Sequence, residues 1–590
     1  MCGIIAYRGD GEKDANEVVL KGLKSLEYRG YDSWGVASRK DQKIKQIKNI
    51  GKIGHIELEQ LGLAKSKTSI GHTRWATHGS VHKRNAHPHA SSCGSVSVVH
   101  NGIIENFQEL RAMLSEEGIE FSTDTDTEVI PHNIMHLMKG GDSFEEAFRK
   151  TLLSLRGSFA VVAIHSDHDV LLGARNGSPL VLGIGDNDHF LASDVPAFLE
   201  HTSKVTYLDD DDMVVISDSG HKVISLLDGK ESIRDIHTVT WDVEQAKKGK
   251  YDHFMTKEID EQKTTIKNAI EQDSELIDKC IEALNDANGV FFVGCGTSYH
   301  ACVSASYQFS HIAKEHVNVV LASEFRNYEE FLNEKTLMVA VSQSGETADL
   351  LDAVKTAKRK GVKIMCIVNV MGSTLMRISD IAVLMNAGPE ICVLSTKSYT
   401  SQLSILTLLA YGLADRLDEG RRLIMKVSDS VGSIIKKSEP IVSALAERFK
   451  TSSNMFLIGR DLAYPSALEG ALKIKEVSYI HAEGFAGGEL KHGTIALIEE
   501  NVPVIVLSTD STRELIVSNA MEIRSRGGYI IGIDSVPNPV FDTFIKIDSF
   551  GNADPIAMII PIQLLSYHLA IQRGCDPDKP RNLAKSVTVK

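Results

Sequence analysis

The sequence feature that most constrains the fold is a repeat in the second half of the chain. Short, continuous apolar runs alternate there with longer helical patterns, which is typical of a parallel sheet covered by helices on both faces. A set of three such runs recurs in the same order about 165 residues later. The first set is residues 289–294, 337–342 and 363–368, and the second is residues 454–459, 503–508 and 528–533. The repeat predicts two copies of one doubly wound α/β domain.

The amino-terminal part of the chain has a different pattern. Short β-rich runs, such as residues 95–99, 159–164 and 213–217, are separated by glycine, asparagine and aspartate turns, which indicates an α+β domain. A charged, weakly periodic stretch then lies between Trp241 and Gln262 and is typical of a linker. We therefore predict an amino-terminal domain at residues 2–235, a linker at 236–262, a first α/β domain at 263–430 and a second at 431–590.

The charge balance argues against two classes of partner. The chain has 64 lysine and arginine residues against 78 aspartate and glutamate residues, a net charge of −14. It presents no general basic field for nucleic acid phosphates or an anionic membrane. The two most apolar stretches, residues 403–414 and 556–571, are short or interrupted by polar residues and proline, so we expect buried helices there. We predict neither nucleic acid nor a membrane as a partner.

The amino terminus and the cysteines indicate a reducing compartment. Charged residues begin at Arg8, which leaves no room for the apolar segment of a signal peptide. The eight cysteines are scattered, with no spacing typical of a disulfide framework or a zinc site. We expect a cytoplasmic protein without a metal site.

Cys2 is a candidate nucleophile because of its position. If Met1 is removed, Cys2 becomes the first residue, and its own α-amine can act as the general base, since the pKa of such an amine is ordinarily about 8. An incidental small residue at this position is the simpler alternative.

A polar segment further along the chain supplies groups that suit an amino-acid amide. Arg74 offers a bidentate fork for a carboxylate, and Asp126 offers a partner for an ammonium group. Asn101 and Gly102 offer a side-chain amide and a backbone N–H for a developing oxyanion. The alternatives are a hairpin turn for the Asn-Gly pair and a helix capping box at residues 125–128.

Five short motifs resemble the class II, amino-terminal nucleophile family of glutamine amidotransferases. They are CGI at residues 2–4, YRGYDS at 28–33, HTRWATHG at 72–79, HNGIIEN at 100–106 and TDTE at 125–128. The resemblance implies an αββα sandwich and the hydrolysis of glutamine to glutamate and ammonia. It further implies that Cys2 is the nucleophile and that Asn101 and Gly102 form the oxyanion hole. The glutamine-binding residues would be Arg74, Trp75, Thr77, His78 and Asp126, with Trp75 gating an ammonia passage.

Two hydroxyl-rich loops follow strands of the first predicted α/β domain. Residues 294–298 (GCGTS) follow one strand, and residues 342–347 (SQSGET) follow another and open a helix. Hydroxyls and N–H groups at such positions bind phosphate. Dinucleotide binding is disfavoured because Tyr299 occupies the place of the third glycine of the fingerprint. A simple turn is the alternative for the second loop.

The carboxyl-terminal half resembles sugar isomerase (SIS) domains, and the whole chain resembles the isomerizing, glutamine-dependent sugar-phosphate aminotransferases. The motifs lie at residues 389–397, 472–476, 481–483, 488–493 and 583–589. The resemblance implies transfer of the amide nitrogen of L-glutamine to D-fructose 6-phosphate, giving D-glucosamine 6-phosphate as the first step of the hexosamine pathway. It also implies ammonia channelling between the two sites, a homodimer or larger homo-oligomer, and no metal or organic cofactor.

The same resemblance assigns roles to the sugar site. It implies that His492 opens the sugar ring, Lys585 forms an imine with the ketone, and Glu476 moves a proton between C1 and C2, with Lys473 as an electrostatic helper. A solvated surface pair is the alternative for Lys473 and Glu476. The sugar-phosphate ligands would be Thr297, Ser298, Ser342, Gln343, Ser344, Thr347, Val393 and Ser395.

Two other functions compete with this interpretation. Another class II amidotransferase would need a pyrophosphate-binding loop or an ATP-binding Ser-Gly-Gly run, and the sequence contains neither. A non-catalytic sugar-phosphate sensor would share the repeated α/β domains but would not need Cys2, Glu476 and Lys585 together.

Overall fold

The chain forms two compact units in the computed structural model. The first unit comprises Met1–Ala246 with Ala584–Lys590, and the second comprises Lys247–Leu583. The division falls inside the segment predicted as a linker, part of which lies outside the described residues. The structure describes residues 2–76, 78–239, 245 and 247–588.

The first unit is built mainly from antiparallel strands, as its β-rich runs predict. Its helices are α1 (Ala15–Ser25), α2 (Leu58–Leu61), α3 (Phe107–Glu116), α4 (Val129–Lys139) and α5 (Phe144–Leu153). Its strands are β1 (Gly3–Arg8), β2 (Ser33–Lys40), β3 (Lys43–Ile50), β4 (Thr68–Arg74), β5 (His89–Ala90), β6 (Val96–Ile104), β7 (Gly157–His165), β8 (Leu171–Asn176), β9 (Val181–Ile184), β10 (His189–Ala192), β11 (Lys204–Tyr207), β12 (Asp212–Ser217), β13 (Gly220–Ser225) and β14 (His237–Thr238).

Two sheets pack face to face in this unit. One has eight strands in the order β14-β11-β9-β10-β1-β4-β2-β3, and the other has six in the order β13-β12-β8-β7-β6-β5. Ile4 and Ile70 of the first sheet and Val99 and Val162 of the second belong to one buried apolar cluster between them. Helix α1 contacts β4 of the eight-stranded sheet, and helices α3, α4 and α5 pack against the six-stranded sheet. The predicted αββα sandwich is confirmed.

The second unit alternates helices with strands. Its helices are α6 (Phe254–Ile270), α7 (Ser274–Asp286), α8 (Thr297–Gln308), α9 (Ala348–Arg359), α10 (Thr374–Ile378), α11 (Lys397–Leu413), α12 (Leu417–Phe449), α13 (Ala463–Ser478), α14 (Arg513–Arg524) and α15 (Asp554–Gln572). Its strands are β15 (Gly289–Gly294), β16 (Asn318–Leu321), β17 (Thr336–Ser342), β18 (Lys363–Val368), β19 (Ile381–Leu384), β20 (Asn454–Gly459), β21 (His481–Ala486), β22 (Pro503–Leu507), β23 (Tyr529–Asp534) and β24 (Thr543–Lys546).

These strands form two five-stranded parallel sheets of the same topology. The orders are β16-β15-β17-β18-β19 and β21-β20-β22-β23-β24, so the first strand of each repeat lies second in its sheet. The predicted pair of doubly wound domains is confirmed, and each of the six predicted strands is present to within a residue at its ends. In such sheets ligands bind where the strand order reverses, here beyond the carboxyl ends of β15 and β17.

The inner faces of the two parallel sheets share one apolar core. Phe292 and Leu457, from the first strand of each sheet, belong to the same buried cluster. Helix α12 runs without a break through the boundary predicted between residues 430 and 431. The segment Gly551–Gln572, which contains α15, is long and apolar enough to cross a membrane, but 83% of its apolar window is buried in the protein. This agrees with the buried helix predicted there.

Candidate functional site

Strand pairing places Cys2 beside the loop that follows β4. Gly3, the first residue of β1, pairs with Thr73 of β4, and its N–H donates to the Thr73 Oγ1 at 3.2 Å. The N–H of Trp75 donates to the Cys2 Sγ at 3.2 Å. Burial raises the pKa of the Cys2 thiol, although the hydrogen bond from Trp75 and the charge of Arg74 act in the opposite direction. The thiol is therefore protonated at neutral pH and needs a base to become a nucleophile.

Asn101 faces Cys2, and a buried histidine sets the orientation of its amide. The Nδ2 of Asn101 donates to the main-chain oxygen of Cys2 at 2.9 Å. The Nε2 of His72 lies 3.0 Å from both the Asn101 Oδ1 and the His100 carbonyl oxygen. Because both partners are oxygen acceptors, the His72 Nε2 carries the proton. This bond occupies the amide oxygen and leaves the amide NH₂ directed at Cys2.

Gly102 lies beside Asn101 in a conformation that only glycine accommodates. Its φ is +127°, and a Cβ at this position would lie 1.9 Å from the carbonyl oxygen of Ser158. Both residues lie within the continuous strand β6. The alternative of a hairpin turn at this Asn-Gly pair is therefore wrong.

Arg74 and Asp126 are buried in the same unit as Cys2. The Arg74 guanidinium donates to the carbonyl oxygens of His78, Gly79 and Ser80 and so holds the loop after β4. Burial lowers the pKa of Arg74, whereas the charges of Cys2, Asp32 and Asp126 oppose this effect. Arg74, Asp126 and Cys2 therefore lie close enough together for their charges to affect the pKa of Arg74.

Thr125 and Glu128 do not form the capping box considered above, and Asp126 between them bonds to strand β6 instead. The Asp126 Oδ2 accepts the N–H of Ile104 at 2.9 Å. Glu128 precedes helix α4 without a side-chain cap bond, and its carboxylate instead accepts the N–H groups of Ser122 and Thr123. The alternative is wrong because this carboxylate closes the preceding loop.

Two other predicted glutamine ligands, Trp75 and His78, lie in the loop after β4. The ring of Trp75 packs edge-on against Tyr31, with centroids 5.8 Å apart. His78 makes a similar contact with Phe107 at 5.9 Å. Thr77 lies outside the described residues.

Sequence analysis missed three groups that support this site. One is His72, which lies inside a quoted motif but carries no obvious role there. The others are Asp32, whose Oδ2 accepts the N–H of Ala76 at 2.9 Å, and Arg29, whose Nε donates to the Cys2 carbonyl oxygen at 3.4 Å. Both lie in the motif at residues 28–33, so the motif could have indicated them as residues of the site.

A buried lysine organises the second candidate site. The Lys473 Nζ, on helix α13, donates to the Thr297 Oγ1 at 2.9 Å and to the Ser395 carbonyl oxygen at 3.3 Å. It lies 2.8 Å from Glu476 and 3.3 Å from Glu469, and its side chain is fully buried. Burial by itself lowers the pKa of Lys473, but the two carboxylates outweigh it and the pKa is raised. The alternative of a solvated surface pair is wrong.

Glu469 was not predicted, although it contacts three side chains of this site. Its Oε1 accepts the Thr297 hydroxyl at 3.0 Å, and its Oε2 lies 2.8 Å from the His300 Nδ1. Glu469 lies one helical turn before Lys473 on α13, and its partners lie on α8, 172 and 169 residues away in sequence. The sequence pattern of α13 cannot predict a contact with a helix that is so distant in the chain.

The two hydroxyl-rich loops lie at the carboxyl ends of β15 and β17, where the strand order reverses. The Ser298 Oγ accepts a bond from Gln402 at 3.0 Å. The Ser342 Oγ accepts the N–H of Gly345 at 3.0 Å, and the Ser344 Oγ accepts that of Glu346 at 3.2 Å. Gln343 lies between these two serines, and Thr347 immediately precedes α9. The loop at residues 342–347 thus has the hydrogen bonds expected of a simple turn. It also lies at the edge of the sheet where ligands bind in folds of this kind.

Buried carboxylates shape the loop that carries Val393 and Ser395. Glu390 accepts the N–H groups of Thr396 and Ser398. Glu258 of α6 accepts the N–H groups of Ile391 and Cys392 at 2.6 and 3.1 Å. The loop therefore directs the Ser395 carbonyl oxygen at Lys473. We refer to residues 391–398 as the sugar loop, because they include the predicted sugar ligands Val393 and Ser395.

The two remaining predicted catalytic residues of the sugar reaction lie in other parts of the chain sequence. His492 ends the turn Gly487–His492 after β21, and its side chain is exposed. Lys585 lies in the segment Ala584–Lys590, which groups with the first unit.

Two family models match the chain where the two kinds of domain lie. A glutamine amidotransferase domain matches residues 72–200. An SIS domain matches twice, at residues 283–411 and 449–573. The duplicated match agrees with the repeat and with the two sheets of the second unit.

Relatives of known name match from end to end. The glutamine–fructose-6-phosphate aminotransferase (isomerizing) of Thermococcus kodakarensis is 46% identical over 605 residues, with 100% of both chains covered. The enzyme of the same name from Pyrococcus horikoshii is 46% identical over 606 residues, also with full coverage.

A solved structure agrees for the second unit. The C-terminal domain of glucosamine-fructose-6-phosphate aminotransferase from Francisella tularensis matches with a TM-score of 0.51 and 36% identity, covering 56% of this chain and 99% of that one. Sequence relationship along the whole length and structural likeness in the second unit thus agree, and the chain belongs to the glutamine–fructose-6-phosphate aminotransferase (isomerizing) family.

Proposed function

We propose that the protein transfers the amide nitrogen of L-glutamine to D-fructose 6-phosphate and isomerises the product to D-glucosamine 6-phosphate, releasing L-glutamate. Family membership over the full chain supports this reaction. The observation that carries the assignment of residues is the presence of two chemically distinct sites. One holds a thiol beside an oriented amide, and the other holds a buried lysine between two carboxylates.

In the first unit, glutamine is hydrolysed through a thioester. The Cys2 Sγ attacks the amide carbon, and its proton passes to the α-amine that Cys2 acquires when Met1 is removed. The negative charge on the amide oxygen is accepted by the Asn101 Nδ2 and the Gly102 N–H. The C–N bond then breaks, ammonia leaves with the transferred proton, and water hydrolyses the thioester to glutamate. Arg74 and Asp126 hold the carboxylate and the ammonium group of the substrate.

In the second unit, the ammonia becomes the amino group of the sugar. The hydroxyls and N–H groups of the loops after β15 and β17 hold the phosphate. Lys585 forms an imine at C2 of the ketose, and ammonia displaces the lysine from that carbon. Glu476 then moves a proton from C1 to C2. The Lys473 Nζ, 2.8 Å from Glu476, holds this carboxylate in position for the proton transfer.

We also propose a homodimer or larger assembly in which His492 acts on the sugar of a second copy. The support is its exposed position in the turn after β21, together with the need for an imidazole at the sugar ring. Mixing two inactive variants, His492→Ala and Glu476→Gln, should restore about a quarter of the activity, because a mixed dimer has one intact site. No recovery after refolding the mixture would contradict the proposal.

We propose a cytoplasmic location. Its support is that no disulfide joins any of the eight cysteines, all of which lie among the described residues, and this is typical of a reducing compartment.

The first experiment measures glucosamine 6-phosphate and glutamate production by the wild type, Cys2→Ala and Lys585→Ala. Cys2→Ala should lose both products, and Lys585→Ala should lose the amino sugar and the stimulation of glutamine hydrolysis by the sugar. Cys93→Ala, an exposed cysteine of the same unit, is the matched control and should behave as wild type. Amino-sugar production by Cys2→Ala would contradict the assignment of Cys2 as the nucleophile. Absence of product from the wild type, with glutamine hydrolysis intact, would indicate a different sugar phosphate.

A further inference from the structure

The first turn of helix α6 is capped by a residue from near the other end of the chain. The residue that precedes the helix, His253, makes no side-chain cap bond. Instead the N–H groups of Phe254 and Met255 donate to the carboxylate of Asp578 at 2.9 and 2.8 Å. Asp578 is buried. An anion at this position is stabilised by the unpaired N–H groups of the helix end.

The same residue also lies against the sugar loop. The N–H of Val393 donates to the main-chain oxygen of Asp578 at 3.1 Å, and the Cys392 thiol donates to the Pro577 carbonyl oxygen at 3.4 Å. One turn along α6, Glu258 accepts two N–H groups of this loop. Asp578 therefore joins the helix end, the sugar loop and the chain segment that leads to Lys585.

A second attachment follows three residues later. The N–H of Arg581 donates to the Tyr479 hydroxyl at 2.7 Å, and its guanidinium lies 4.1 Å from the centroid of the Tyr479 ring. Tyr479 ends helix α13, which carries Lys473 and Glu476, and it has the left-handed φ of +59°. The carboxyl-terminal segment is thus attached to the helix that presents the catalytic carboxylate.

We propose that Asp578 is a positioning residue for Lys585, and that Tyr479 is a second one acting through Arg581. The proposal rests on the proposed function, in which Lys585 forms the imine. Lys585 follows Arg581 by four residues, a span of at most about 14 Å of extended chain. An attachment at Arg581 therefore limits where the Lys585 amine can lie. Less conformational freedom is then lost when this amine reaches the ketone.

The step that this positioning serves can be trapped chemically. The Lys585 Nζ forms a C=N bond with C2 of the ketose, the C=O bond breaks, and the oxygen leaves as water. Borohydride then delivers hydride to the imine and leaves a stable secondary amine on the lysine. Mass spectrometry locates the adduct and measures its rate of formation, which reports on Lys585 directly.

The test uses two conservative variants in the full chain, each with a matched control. Asp578→Asn keeps the size of the side chain but removes its charge and one of the two oxygens that accept the N–H groups of α6. Its control is Asp273→Asn, which changes the cap of α7, where Asp273 accepts the N–H of Glu275 at 2.8 Å. Tyr479→Phe removes one hydroxyl. Its control is Tyr529→Phe, whose hydroxyl lies 2.7 Å from the Thr543 Oγ1 at the far side of the second parallel sheet.

We expect trapping at Lys585 and kcat/KM for fructose 6-phosphate to fall about tenfold or more in Asp578→Asn and severalfold in Tyr479→Phe. Both controls should stay within about twofold of wild type. Glutamine hydrolysis without sugar should be unchanged in all four variants, because all four residues belong to the second unit.

The outcomes separate the positioning role from the proposed function. If the wild type forms an adduct at Lys585 and both variants form it at the same rate, the positioning role is overturned and the function stands. If the wild type forms none there, the imine assignment and the positioning role both fail. If Asp578→Asn melts at a lower temperature than its control, Tyr479→Phe decides, because it leaves the helix cap intact.

Discussion

The Nζ of Lys473 lies 2.8 Å from the carboxylate of Glu476, three residues later on the same helix, and the lysine side chain is fully buried. A buried cation of this kind is stable only when charge and hydrogen bonds compensate its lost hydration. Glu469 and Glu476 supply the charge, and Thr297 and Ser395 supply acceptor oxygens. The cluster keeps Lys473 charged and fixes its distance to the Glu476 carboxylate.

Replacing Lys473 by methionine should destabilise the second unit. The change leaves Glu469 buried without its cation, which costs about 3–5 kcal/mol for a buried pair. Lys475→Met, an exposed lysine two residues away on the same helix, should cost less than about 0.5 kcal/mol. Thermal unfolding followed by calorimetry compares the two. Equal transition temperatures would contradict the compensating role of the cluster.

Glu469→Gln should impair the sugar reaction without affecting glutamine hydrolysis. It removes the carboxylate that holds Thr297, His300 and Lys473 together, and we expect amino-sugar formation to fall about tenfold or more. Glu439→Gln is the control, since Glu439 also pairs with a histidine, His568, at 2.8 Å but on helix α12. An equal effect of the two variants on the sugar reaction would show that Glu469 has no special role.

His72→Phe should lower the kcat of glutamine hydrolysis. Without the bond from the His72 Nε2, the Asn101 amide loses the partner that fixes its orientation, and loss of one oxyanion donor costs about 100-fold. KM for glutamine should change little, because His72 does not hold the substrate. His201→Phe, a histidine stacked on Phe190, is the control. A change in KM alone would indicate that His72 supports binding instead.

Acid should destabilise the first unit before the second. Burial lowers the pKa of His72 to about 3 and holds those of His87 and His89 well below the usual range. Below the ordinary pKa of about 6.5, the unfolded chain binds protons that the native state does not, so stability falls as pH falls. The loss approaches about 1.4 kcal/mol per pH unit for each histidine, and for His72 it continues down to pH about 3. Calorimetry from pH 7 to 5 should show the transition of the first unit moving to lower temperature. A transition independent of pH in this window would contradict the prediction.

Gly102→Ala should abolish glutamine hydrolysis and destabilise the first unit. The added Cβ would lie 1.9 Å from the Ser158 carbonyl oxygen, so β6 and β7 must separate beside the proposed oxyanion donors. Gly94→Ala is the control, because Gly94 also has a positive φ, of +75°, but nothing lies within 4 Å of the added atom. It should show only backbone strain, about 1 kcal/mol. Full activity in Gly102→Ala would remove Gly102 from the oxyanion hole.

The sequence by itself determined the architecture and the kinds of chemistry. Continuous apolar runs specify buried parallel strands, and their recurrence specifies two like domains, because strand burial and spacing are local properties of the chain. Motifs around Cys2, Arg74 and Asn101 predicted the first site, since a motif is also a local property of the chain.

Only the tertiary structure decided which charged groups are buried and which distant residues meet. The three-residue spacing of Lys473 and Glu476 would be the same in an exposed pair and in a buried pair. The helices and loops that pack around the pair, not its spacing, decide how far it is removed from water. Glu469 reaches Thr297 across 172 residues, and Asp578 caps a helix across 324 residues. Such contacts form when separate helices and loops pack together, so no local pattern encodes them.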